Sequence, residues 1–356
     1  MINIRYHIVS ITAVFLALGI GVALGSTFLD GATVDVLNKN ISSAETRIRA
    51  SNDKIGALED DLDAARQRDA GLILLGTDRL LGEQLTDQPV LVVAEPGVGD
   101  DQLAALLSVL DRSGADLRGT LALRDRLTLT DGDDALAEAI GLESDASAAE
   151  LRSAVNAQLV DALAAAGAPA PEEGDTEGEA TTTTDATTTT EATTTTTSAD
   201  QSGDDASATP DGTQPTIVTA LIDHDYVDLV PGPDHGDGDP VLEVPGYRYV
   251  FVGSATPRPS DTDVLLQLLP GSGSTTIPAV VAAPAPSIDD RSSDASPTVV
   301  ARVRSSDDLA VRYSTIDDLD TFAGLAATVF TVADLGTAPV GHYGQADGAT
   351  ALLPAP

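Results

Sequence analysis

Four histidines, His7, His224, His235 and His342, are the side chains of this sequence whose ordinary pKa places proton exchange near neutral pH. There is no cysteine, and the single methionine is Met1. Thiol catalysis and thiolate metal sites are thereby excluded, and a copper(I) site would lack the soft sulfur ligands it prefers. Two histidines sit among acids: Asp223, His224, Asp225 and Asp228, then Asp234, His235, Asp237 and Asp239. Either group has the donor types for a hard cation or an imidazole-bound metal. Acidic turns in an aspartate-rich chain produce the same pattern. His342 and Tyr343 lie between Gly341 and Gly344, so tight turns are expected to present them at a surface, as a docking loop or a structural turn. Gly97, Val98 and Gly99 open like a dinucleotide fingerprint, but position 102 is Gln102, and Asp100 and Asp101 at the helix start would repel a pyrophosphate. GxSxG, HExxH and Walker A motifs are absent. No catalytic or cofactor-binding residue is assigned, no cofactor is expected, metal ligands stay unassigned, and the chain reads as a non-enzyme.

These residues sit on alternating strands and helices. Residues 90–94 form a short β-branched run ending at Glu95, Pro96 and Gly97. Leu103, Leu106, Leu107 and Leu110 then share one helical face, and Gly114 closes that helix. Residues 117–123 read as a second strand, which makes a β-α-β unit and implies a parallel sheet covered on both faces. Ser147 and Glu150 have capping-box spacing before Leu151, Val155, Leu159 and Leu163. Further on, 217–222 fits a strand or a helix, and 249–252, 280–283 and 310–313 fit strands. Ser260 and Asp263 cap a helix with Val264, Leu265, Leu268 and Leu269. Asp317 or Asp318 is expected to start a helix carrying Leu319, Phe322, Ala323, Ala326 and Phe330. The pattern predicts a doubly wound, mostly parallel α/β domain, in two parts over 86–166 and 215–340 that join in one sheet.

The N-terminus predicts how this domain is held. Residues 8–29 carry no charge, and at about 1.5 Å per residue such a helix covers the roughly 30 Å hydrocarbon core of a bilayer. Ala13, Ala17, Gly21 and Gly25 recur every fourth position, and the last two form a GxxxG pair suited to close helix approach. A cleaved signal peptide is the rival reading, because Ala23 and Gly25 are spaced like a cleavage site. The long apolar run and the single Arg5 before it favour an uncleaved signal-anchor. Arg5 precedes the span while Asp30 and Asp35 follow it, which places residues 1–7 in the cytoplasm and the bulk outside. A heptad repeat then runs through Val34, Leu37, Ile41, Ala44, Ile48, Ser51, Ile55, Leu58, Leu62 and Ala65. That is a coiled-coil seam over 32–68, expected to make a parallel homodimer together with the Gly21 and Gly25 face, or to accept a partner helix.

Net charge is −37, and only Lys39 and Lys54 are lysines. A chain this acidic repels phosphate, so nucleic acid is excluded as a partner and anionic headgroups are poor ones. The acidic balance also fits a salt-adapted protein whose melting temperature falls when salt is removed. Residues 167–214 hold three threonine runs, eleven acids and no base. Such a segment buries too little apolar surface to offset its ordering entropy and is expected to be a disordered insert, plain or glycosylated.

Ile4, Arg5, Tyr6 and His7, then Ser10 and the stretch from Ala13 to Gly21, resemble the actinobacterial copper-transporter MctB family. So do the C-terminal Gly341, His342, Tyr343 and Gly344 with Leu352, Leu353 and Pro354. The order of anchor, coiled coil and α/β domain is similar too, and the threonine-rich insert stands outside the resemblance. It implies copper homeostasis or efflux across the envelope, with association to the outer envelope and copper ions as cargo. SteB-like relatives imply a different role, in which the coiled coil of a cell-separation protein engages a cell-wall hydrolase. The resemblance supplies no copper ligands to carry over.

Overall fold

The structure is a computed structural model that describes residues 4–143, 145–169, 216–236, 239–256, 263–273, 275–285 and 297–355, with side chains left out for 26–36 and 74. The threonine-rich segment lies, from residue 170, outside the described residues, as do Asp237, Ser260 and the side chain of Val34. Two units make up the chain, residues 1–69 and 70–356.

The first unit belongs to one long helix, α1 (Ile4–Gly76). Its N-terminal portion Ile4–Gly25 has a mean hydropathy of 2.4 and buries nothing, and among the described residues it is the segment long and apolar enough to cross a membrane. The heptad residues Leu37, Ile41, Ile48, Ile55, Leu58 and Leu62 follow on the same helix, each roughly half exposed.

The second unit takes up the last turns of α1, where Gly76 lets the Phe322 ring approach, and continues through a π-helical turn at Thr77–Leu81. It then runs β1 (Pro89–Ala94), α2 (Asp100–Arg112), β2 (Asp116–Leu123), α3 (Asp134–Ala139) and α4 (Ala148–Gly167). After the insert come α5 (Thr216–Asp223), β3 (Val227–Pro231), β4 (Arg248–Val252), α6 (Val264–Gln267), β5 (Ala279–Ala282) and α7 (Val299–Ser305). The chain closes with α8 (Asp307–Ala310), β6 (Ser314–Ile316), α9 (Phe322–Ala333) and β7 (His342–Tyr343).

The strands form one sheet among the described residues, in the order β3-β2-β1-β4-β5-β6-β7. All pairings are parallel except β2 with β3. The fold class is the doubly wound α/β arrangement expected, and β1 beside β4 joins the two halves across the insert. The strands read as continuous apolar runs because helices bury both faces. Leu91, Val93, Tyr249, Phe251 and Val281 point into a core with α4, α5, α6 and α7. Val90, Val92, Val250, Val252 and Val280 alternate into a second core with α2 and α9. On the first face Tyr247, Tyr249 and Phe251 stack along β4, with centroids 6.0 and 6.3 Å apart. The Tyr249 hydroxyl donates to the Leu163 carbonyl at 2.7 Å, and burial pushes that phenol far up.

Local chemistry explains where expectation and structure part. Residues 217–222 are helical. Residues 310–313 are not a strand: Ser306 caps α8, the Tyr313 amide still bonds to the Leu309 carbonyl, and β6 begins one residue later. The last long helix starts at Phe322 with Thr321 as its cap, because Asp317 is engaged elsewhere. Gly99 holds the cap position of α2, with Asp100 and Asp101 inside its first turn. Helix α4 extends to Gly167 before the insert begins. The capping box holds: Ser147 and Glu150 bond reciprocally at 3.3 and 2.9 Å. At the β2–β3 contact, Gly119 adopts φ +142°, and an added Cβ would lie 2.5 Å from the Val230 carbonyl oxygen.

Candidate functional site

The short terminal motif is built into the sheet. Arg304, from the last turn of α7, and Asp317, just beyond β6, form a buried ion pair with side chains 5% and 7% exposed. Arg304 Nη1 donates to Asp317 Oδ2 at 2.6 Å and to the Asp347 carbonyl at 3.3 Å. Its Nε donates to Thr315 Oγ1 at 2.8 Å, and Nη2 donates to the Tyr343 carbonyl at 2.8 Å. Asp317 Oδ1 accepts from the backbone of Gln345 at 2.8 Å and Ala346 at 3.0 Å. A buried pair is tolerable only when its remaining donors and acceptors are satisfied, and this one spends them on β6, β7 and the residues just after β7. Gly344 permits the approach: at φ +126°, an added Cβ would fall 2.3 Å from Asp317 Oδ1.

His342 is held at one side of its ring by Thr315. Thr315 Oγ1 accepts from Arg304 and lies in hydrogen-bond contact with His342 Nδ1 at 2.9 Å. Which of the two atoms donates depends on the tautomer of the ring. Burial, then the charge of Arg304, pushes this imidazole's pKa down. Bonded through Nδ1 to Thr315, the ring latches β7 to β6. Its carbonyl accepts from the Thr350 amide at 2.8 Å and hydroxyl at 2.9 Å, which turns the tail back beside β7. The turns expected around His342 and Tyr343 are thus a two-residue strand with partly buried side chains.

Tyr343 folds over Gly341 and lines a cleft of about 350 Å3 at the N-terminal ends of β5 and β6. Ile277, Pro278, Pro339 and Val340 give it apolar walls, with Arg312 and Asp334 as its charges. On the other end of the sheet, beyond β6, Asp318 is 2% exposed, and its Oδ1 has no hydrogen-bond partner among the described residues. Burial first, and Asp317 second, raise its pKa.

Elsewhere the acids are answered by arginines. Arg124 grips Asp228 with two bonds of 2.7 and 2.5 Å and lies 3.8 Å from Asp225. Arg126 pairs with Asp133 at 3.2 Å and stacks over Tyr226, whose hydroxyl donates to Asp133 at 2.8 Å. Burial pushes the Tyr226 phenol up to about 12. Those arginines occupy the group around His224. His235 Nε2 lies 2.8 Å from Asp116, and Asp239 lies 3.8 Å from its Nδ1. Among the described residues, no three or more His, Asp or Glu side chains converge to hold a metal ion. At the switch of strand order between β1 and β4, where doubly wound sheets bind ligands, Glu95 is 5% exposed and accepts from the Ser254 amide at 3.0 Å. Ser254 in turn donates to the Gly97 carbonyl at 3.1 Å. A carboxylate in the crevice repels the pyrophosphate that the Gly97–Gly99 turn would otherwise suit.

The arginine-aspartate clamp is what sequence reasoning missed: Asp317 read as a candidate helix start, and nothing singled out Arg304. The glycines flanking His342 and Tyr343 were the available signal that a backbone had to approach something closely. Residues 1–354 match the family described as "Copper transport outer membrane protein, MctB". The chain belongs to the MctB family. Proteins named copper transporter MctB from Mycobacterium tuberculosis (strain H37Rv) and Mycobacterium bovis are 26% identical over 367 residues, covering 99% of both chains in each case. One of the same name from Mycobacterium leprae is 27% identical over 180 residues, half of each chain. The MctB match includes both the apolar N-terminal helix and the clamped terminal motif.

Proposed function

We propose that this protein is a single-pass, membrane-anchored, non-enzymatic component of copper homeostasis or efflux. In this reading the N-terminus is cytoplasmic and the bulk of the chain lies in the envelope outside. The observation that carries the reading is the family match over residues 1–354, together with an N-terminal helix of membrane-spanning length and composition. The α/β unit is an extramembrane body, since its sheet is mostly parallel and covered by helices, whereas membrane barrels are closed and antiparallel. Copper is cargo here, and we assign it no ligand in this chain. The lack of three or more converging His, Asp or Glu side chains among the described residues supports that choice. Deleting the gene and measuring cell-associated copper and growth under copper stress is the test. Higher copper and lower tolerance, restored by the full-length gene, are expected. Unchanged copper with unchanged tolerance overturns the reading.

A second reading rests on the exposed heptad residues of α1. There the helical stalk is an envelope scaffold of cell separation that recruits a cell-wall hydrolase. A photo-reactive side chain at Asp53 or Asp60, away from the apolar seam, is expected to capture a hydrolase identified by mass spectrometry. A chain that captures none from either position speaks against this role.

A further inference from the structure

Six large apolar side chains on one helical seam face open solvent: Leu37, Ile41, Ile48, Ile55, Leu58 and Leu62 are 48–59% exposed. We propose that this seam pairs with the same seam of a second copy of the chain, as a parallel, in-register two-stranded coil whose flanking ion pairs are Lys54 with the second copy's Glu59 and Asp61 with its Arg66. The parallel orientation rests on the membrane-anchored reading above, since two chains leaving one membrane face run the same way. The choice of a second copy rests on the residues themselves. The seam places Val34, Ile41, Ile48, Ile55 and Leu62 at one core position of each heptad, and Leu37, Ala44, Ser51, Leu58 and Ala65 at the other. Branched residues at the first position with leucine at the second favour two parallel strands.

Charge gives the register. In a parallel pair, each residue just before a first core position faces the residue five further along on the other chain. Those facing pairs are Asn40 with Glu45, Arg47 with Asn52, Lys54 with Glu59, and Asp61 with Arg66. Two are opposite in charge and none is like-charged. A shift by one heptad would face Lys54 with Arg66 and Asp61 with Glu59, and would leave two attractions, of Arg47 with Glu45 and with Glu59, in place of four. Ser51 and the alanines thin the core, so confinement to the membrane plane supplies concentration that the seam alone would lack.

Gly21 and Gly25 take no part in this seam. On one continuous helix at about 100° per residue, they sit about 120–160° around from Leu37 and Ile41. The expected single dimer face running through both elements is therefore two faces, and the heptad face carries the pairing.

The natural absence of cysteine makes the test clean. Full-length Leu58→Cys and Asp60→Cys variants are oxidised mildly in their native membrane. Leu58→Cys is expected to give a reducible dimer of twice the chain mass, and Asp60→Cys to remain monomeric. Adding Lys54→Glu to Leu58→Cys should cut the dimer about fivefold, and further adding Glu59→Lys should restore it. Three results overturn the proposal: no self-disulfide from Leu58→Cys, equal yield from Asp60→Cys, or a charge reversal that its partner fails to rescue. A dimer mass for the unmodified chain in mild detergent guards against variants that misfold, and a monomer there counts against the seam. Copper tolerance of the same strains is scored separately. Lost pairing with intact gene-dependent tolerance removes only this proposal, and intact pairing with no copper phenotype removes only the copper reading.

Discussion

Replacing Arg304 with methionine strips four hydrogen bonds and leaves the Asp317 carboxylate buried without its cation. An uncompensated buried charge of this kind costs about 3–5 kcal/mol. The molecule has one escape, which is to peel away the residues after β7 and admit water to Asp317. That forfeits the bonds from Gln345, Ala346 and Thr350 and the one from the Gly344 amide to Ala351. At about 1 kcal/mol net per bond, escape costs about as much as endurance. Both routes predict a loss of about 3–5 kcal/mol in local or global stability. For a unit of this size, that is a fall in melting temperature of about 6–20 °C if the loss is global. Thermal unfolding by near-ultraviolet circular dichroism reads the global share, and hydrogen exchange of the tail peptide reads the local one. Arg304→Lys should behave nearly as badly, because an ammonium cannot serve three separately placed acceptors and the carboxylate at once. A melting point within about 2 °C of wild type with unchanged tail protection would refute the reasoning.

Gly344→Ala should destabilise the same region by about 2–3 kcal/mol, since it combines a left-handed φ with a Cβ driven into Asp317, and exchange in the tail should accelerate. Asp318→Asn should stabilise the fold at neutral pH, because it removes a charge that burial and then Asp317 disfavour. The sign follows from a folded pKa raised above the unfolded one: the native state gains on protonation, and that gain is lost as pH rises through the raised value. Melting curves of wild type and Asp318→Asn should coincide below the ordinary aspartate pKa and separate as pH rises. Asp133 and Asp228 act in the opposite sense, because a backbone bond from Leu136 and the Arg124 side chain, respectively, lower their pKa values, so stability they contribute is lost as pH falls. His342→Gln should lower the melting temperature yet leave copper tolerance unchanged at matched protein levels, and loss of tolerance there would contradict the latch assignment. Removing salt should lower the melting temperature of a chain with net charge −37, and a flat salt profile would dismiss salt adaptation.

What was legible in the sequence tracks what a local pattern can carry. β1, β4 and β5 announce themselves as branched apolar runs because both their faces are buried. The heptads of α1 stand out because a seam open to solvent repeats without tertiary interruption. β3 did not, since an antiparallel edge strand carrying Asp228 and ending at Pro231 reads as a turn. β7 is two residues long, below any periodicity, and exists only because β6 lies beside it. The clamp was invisible for a related reason: Arg304 and Asp317 meet only after α7 has packed on the sheet, and nothing in their spacing reveals that both charges leave water.

The pairing of β1 with β4 also has a kinetic and evolutionary reading. Residues 90–94 must find residues 248–252 across more than 150 intervening residues, the threonine-rich stretch among them. Loop-closure entropy grows only with the logarithm of length, so deleting residues 170–215 would ease that closure by about 0.3 kcal/mol. The stretch is thus close to neutral for the folding barrier. Its length can drift between lineages, or be cut by an engineer, while the sheet on either side assembles at nearly the same rate.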